Sequence, residues 1–145
     1  PDTAFLTSFV ELRDTIELQT AGLAAQRRSA EQLRMLVYWQ NQRSQSATMP
    51  EPYALAEFEF HRILCEATQN PFLRAASALV EFGVVQAIAP RLTAGLTEFS
   101  SEKEPHYQAL AEAVGHGDPP AARAAMTAIL EQDKRWILSA PAPEA

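Results

Sequence analysis

Two side chains with metal-binding chemistry, Glu57 and His61, stand four residues apart in the run Glu57-Phe58-Glu59-Phe60-His61. On a helix that spacing puts a carboxylate and an imidazole side by side, and such a pair can share one divalent cation. A surface ion pair or a hydrogen-bonded core histidine would use the same spacing. Phe58 and Phe60, with Leu64 and Cys65 beyond, make much of this helix's girth apolar, so its polar face is expected to look into the protein and to need a partner. His106, behind Pro105 at the opening of another helical segment, is a third candidate ligand or else a surface histidine near a helix start. His116, between Gly115 and Gly117 and close to Asp118, reads as solvent-facing.

Arg13 and Arg135 lie near opposite ends of the chain and offer planar forks that suit a carboxylate. The other reading of Arg13 is an exposed pair with Glu17 one turn later, which would be worth little, and Arg135 beside Trp136 allows the same two readings. No Gly-x-Ser-x-Gly, phosphate loop, paired-cysteine motif or zinc-protease signature is present, so an enzyme is hard to argue. A metal-assisted hydrolase or isomerase with Glu57 as base stands as the alternative to a sensing domain.

These residues must be carried by helices. Phe9, Leu12, Ile16, Leu23 and Ala24 recur at helical intervals between about Leu6 and Arg28, with Thr7 or Ser8 as cap and Glu11 completing a capping box after Ser8. Ser29 caps a second helix that turns Leu33, Leu36, Val37 and Trp39 inward, before a polar tract from Gln40 to Thr48 that reads as a frayed end and loop. Pro50 and Pro52 open a third helix containing Glu57 and His61, and Asn70-Pro71 caps and starts a fourth that runs to about Ala89. Pro90 is expected to interrupt, Gly95 to Lys103 to connect, and two helices to follow over Pro105 to Val114 and Pro119 to Leu138, the latter capped by Asp118. With no alternating apolar and polar run to support a strand, the fold class is all-α, an antiparallel bundle of six or seven helices.

The 145 residues suit one domain over 1–138, with 139–145 as a disordered tail. A net charge of −6 without a basic cluster leaves no electrostatic footprint for nucleic acid, and no apolar run is long enough to span a membrane. The single cysteine, Cys65, fits a buried inert thiol in a reducing cytoplasm. The chain opens on a helix without Met, as a piece of a longer protein would.

Taken together, Glu11-Leu12-Arg13 with Glu17, Glu57-x-x-Phe60-His61, Asn70-Pro71-Phe72-Leu73, His106 with Gly117-Asp118, and Ala125-Met126 resemble one family across about residues 5 to 138. That family is the C-terminal effector-binding and oligomerisation domain (FCD domain) of GntR-superfamily transcription regulators of the FadR subfamily. The resemblance implies a helical bundle around a pocket, usually with zinc, nickel or manganese helping to bind a small organic acid. It also implies a homodimer and an N-terminal winged helix-turn-helix DNA-binding domain, absent from this chain, through which alone operator DNA would be bound. Glu57 takes the place of the family's usual aspartate, and His61 matches the histidine four residues later. His106 matches the next ligand, although a shift of one residue would put Tyr107 there. The family's last histidine falls on Ala128 or Ile129 and is missing. A reduced set is similar to that of sugar-acid, galactonate-type regulators, where two arginines contact the acid; Arg13 and Arg135 match in position. The effector, a sugar acid or similar hydroxycarboxylate, would then meet the metal and Arg13, with Arg135 closing over it and repression relieved. A dimerisation module with a decayed metal site is the remaining alternative.

Overall fold

The computed structural model describes residues 2–139, and these form six helices joined by short connections. The all-α expectation holds among them. Helix α1 spans Thr3–Arg27 and α2 spans Ala30–Gln45. The cap of α1 is Asp2, whose carboxylate accepts from Phe5 N at 2.8 Å, so the helix starts well before the expected Thr7 or Ser8. Ser8 instead donates to Ala4 O within the helix. Ser29 caps α2 in a reciprocal capping box with Gln32. The tract from Gln40 is not a loop: α2 runs on to Gln45 because Gln40 and Arg43 are buried and paired.

Helix α3 spans Pro50–Ala67 with its prolines in the first turn, where the missing N–H is no loss. Helix α4 spans Pro71–Ala87, and the Asn70 side chain accepts from Phe72 N and Leu73 N. Helix α5 runs over Ala89–His116 and bends at Gly95, whose φ of −129° and ψ of 20° leave the helical region. The expected connection from Gly95 to Lys103 is therefore a bend, and Pro105 lies within the helix rather than at its start. Gly117 ends α5 at φ 66°, a conformation open to glycine with little strain, and Asp118 accepts from Ala121 N to cap α6, Pro119–Ser139. The expected tail beyond Ser139 lies outside the described residues.

The core has two apolar clusters stacked along the bundle. One gathers Ala21 and Ala24 of α1, Leu36 of α2, Phe60 and Leu64 of α3, Leu110 and Val114 of α5, and Met126 and Ile129 of α6. The other gathers Leu6 and Phe9 of α1, Tyr53 of α3, Leu92 and Phe99 of α5, and Ile137 of α6. On each of α1, α3, α5 and α6 a charged residue falls between the two clusters in chain order: Arg13 and Glu17, Glu57, Lys103, and Asp133. A polar layer thus crosses the bundle between two apolar ones. No helix of the described residues is long and apolar enough to cross a membrane.

Candidate functional site

The polar layer is built by helical stripes that carry a charge where the period calls for an apolar residue. On α5, Leu96, Phe99, Lys103, Tyr107 and Leu110 follow one another at three and four residues, and the lysine is turned inward with its neighbours. Asp133 sits likewise between Ile129 and Ile137 on α6. Buried charges survive only when paired, and each of these is. Arg13 donates from Nε to Glu17 Oε2 at 2.6 Å and from Nη1 to Asp133 Oδ2 at 2.5 Å. The Lys103 ammonium donates to Glu57 Oε1 at 2.9 Å and stands 2.9 Å from Asp133 Oδ1, an ion pair without hydrogen-bond alignment.

Arg43, fully buried, closes the layer from α2. It donates to Glu104 Oε2 at 2.8 Å and to the Tyr53 hydroxyl at 2.7 Å, reaches Glu57 Oε1 at 3.4 Å, and stacks 3.8 Å from the Tyr107 ring centroid. His61 uses both ring nitrogens: Nδ1 is 2.9 Å from Glu17 Oε1 and Nε2 is 2.6 Å from the Tyr107 hydroxyl. Because a carboxylate only accepts, Nδ1 carries a proton, and in the neutral tautomer Nε2 accepts from Tyr107.

The charges set one another's ionisation. Burial alone would raise the Glu17 carboxyl, but Arg13 and then His61 outweigh it and bring it down to about 2. Glu57 is held well below the usual carboxylate range because Lys103 and Arg43 outweigh its burial. Burial, with Glu57 nearby, pushes the Tyr107 and Tyr53 hydroxyls up and keeps both neutral. The Cys65 thiol is raised to about 12 by burial, so it is an inert thiol rather than a nucleophile.

One side of this layer opens into a cavity of about 340 Å³ between α1, α3, α4 and the start of α5. Arg13, Glu17, Glu57 and His61 form its polar end; Ile16, Leu55, Phe58, Val80, Val84 and Leu92 are among the apolar residues that line the rest, together with Arg62, Ser77 and Glu81. Volume and lining match a small-ligand site: an apolar chamber with a few convergent polar groups at one end.

The structure brings Glu57, His61 and Arg13 to this cavity and leaves His106 and Arg135 away from it. His106 is half-buried on α5, and the residue that meets His61 is its neighbour Tyr107. Arg135 lies exposed on α6, with Nε donating to Glu131 O. Ile129, at one of the two positions where the family's last histidine would stand, is fully buried in the core. Among the described residues no three His, Cys, Asp or Glu gather in a metal-binding group. The donors present do not fit a divalent ion: both nitrogens of His61 are engaged, and Glu57 Oε1 faces an ammonium and a guanidinium.

Arg43, Lys103, Asp133 and Tyr53 belong to the site without having been singled out in the sequence. For Lys103 and Asp133 the signal was available, a charge sitting on an apolar stripe; for Arg43 it was hidden, because its tract is polar throughout.

The chain matches the model of the FCD domain over residues 8–132. It is also similar in structure to a Streptococcus agalactiae GntR protein, with a TM-score of 0.76 at 20% identity over 92% of this chain; at that identity the likeness is one of fold. The match spans 59% of that protein's chain. No curated protein matches.

Proposed function

The chain belongs to the FCD domain family, whose members are regulatory rather than enzymatic domains, and on that premise we propose that its cavity senses a small organic acid. The observation that carries this reading is the cavity itself, a largely apolar chamber with Arg13 and His61, beside Glu17 and Glu57, at one end. The guanidinium has more donors than its bonds to Glu17 and Asp133 use, and so can still receive a ligand carboxylate. The body of the ligand would lie on Ile16, Leu55, Phe58 and Val84, where a polyol finds few partners. That lining favours a hydroxycarboxylate with an apolar body over a highly hydroxylated sugar acid. FCD domains are often metal-associated, but in this chain both ring nitrogens of His61 are engaged and Glu57 Oε1 faces Lys103 and Arg43, so the acid is bound without a metal.

Binding acts on regulation by favouring one packing of α4 against α1 and α3, since a ligand shifts an equilibrium only by its preference for one arrangement. In a longer GntR-type regulator, working in the cytoplasm, that shift would reset paired DNA-binding domains on operator DNA and relieve repression. A second copy would cover the stripe Phe72, Leu79, Phe82 and Val85 on α4, where Phe72 is 84% and Phe82 58% exposed.

The test is a thermal-shift screen of hydroxycarboxylates, sugar acids and short aliphatic or aromatic acids, followed by calorimetry of the hits. Leu55→Trp, on the exposed side of the cavity, should abolish binding without loss of fold, and Arg13→Lys should weaken it at least tenfold by removing the planar fork. A hit that binds both variants as it binds the wild type would remove the cavity assignment.

A further inference from the structure

Lys103 is 1% exposed, as is Asp133 opposite it. A buried ammonium is expensive unless its charge and its donors are met. Its Nζ lies 2.9 Å from Glu57 Oε1 on α3 and 2.9 Å from Asp133 Oδ1 on α6, and 3.9 Å from the Phe99 ring centroid on its own helix. One atom of α5 therefore ties α3 to α6, and Asp133 passes the link to α1 through Arg13. Carboxylates converging from facing helices on one central cation are the arrangement by which helical bundles hold metal ions. Here the centre is a nitrogen.

A divalent ion on Glu57 Oε1 would face Lys103 at 2.9 Å and Arg43 at 3.4 Å from that same oxygen. To bind there it would have to displace both side chains from the carboxylate. We infer that the Lys103 ammonium is itself the central cation of this site, holding Glu57 and Asp133 together as a divalent ion would, so that the domain keeps its shape without metal. This cation holds the site together whether or not the cavity senses an acid.

The test reads metal content and stability rather than ligand response. Native mass spectrometry of the wild-type chain, incubated with equimolar zinc, nickel or manganese and then desalted, should show the unmetallated mass, and chelator should leave Tm unchanged. One metal per chain, removed by chelator with a fall in Tm, would overturn the inference. Lys103→Ala, which deletes a propylammonium unit, should lower Tm by about 10 °C by leaving two buried carboxylates without their shared cation. Millimolar n-propylammonium should restore much of that loss in Lys103→Ala and none in Lys103→Met, whose side chain fills the space. If Lys103→Ala does not fold, Lys103→Arg and Lys103→Met decide the matter. A stable Arg variant beside an unstable Met variant supports a required charge, whereas a Met variant with the wild-type Tm shows that no cation is needed there.

Discussion

Glu17 offers the sharpest quantitative check on the buried layer. Its carboxyl titrates at about 2 in the fold against an ordinary 4.5, and it is 5% exposed, so solvent screening does little to dilute the difference. Since the folded value is the lower one, ionised Glu17 stabilises the protein at every pH above about 4.5, and that contribution is lost as pH falls toward 2. The gap corresponds to about 3 kcal/mol at neutral pH, of which about 2 kcal/mol should be gone by pH 3. Glu17→Gln keeps the shape and removes the titration. Urea unfolding followed by far-UV circular dichroism at pH 7, 5 and 3 should find the variant less stable by about 3 kcal/mol at pH 7 and by about 1 kcal/mol at pH 3. Other carboxylates, Glu57 among them, titrate in both proteins and largely cancel in the difference. A constant gap between the two proteins across that range would show that Glu17 is not held by Arg13 and His61 as the structure has it.

Two further perturbations probe α4, the helix that walls the cavity. A Cβ at Gly83 would lie 2.0 Å from the ring of Phe9, itself buried, so Gly83→Ala should cost about 1–3 kcal/mol in thermal or chemical unfolding; an unchanged stability would mean that α4 has room to move off α1. Replacing both Phe72 and Phe82 by glutamate should convert a dimer to a monomer in sedimentation at micromolar concentration with helicity intact, and a wild-type chain that is already monomeric would remove the proposed role of that stripe.

Much of the architecture was legible in the sequence because it rests on local rules. Ser29 with Gln32, Asn70 with Pro71, and Asp118 with Pro119 mark helix starts through hydrogen bonds made within three residues, and the structure uses all three. The same rules failed where a competing signal won. Ser8 lost to Asp2 because the helical period continues upstream of it, and the glycine and proline of α5 bend or tolerate a helix that packing on both sides sustains. Arg13 and Glu17 were recognisable as a pair, but their burial was not, since an i and i+4 salt bridge looks the same on either face of a helix.

The sequence by itself determined an all-helical chain of the FCD type, its caps, and the placing of Glu57 and His61 one turn apart on a single helix. These follow from the 3.6-residue period and from short-range backbone chemistry. Only the tertiary structure decided the partners: that Tyr107 rather than His106 meets His61, that Arg135 stays outside, and that Lys103 stands between Glu57 and Asp133. Those contacts join residues 30 to 46 positions apart, and they depend on the rotation and height of one helix against another, which no local pattern specifies.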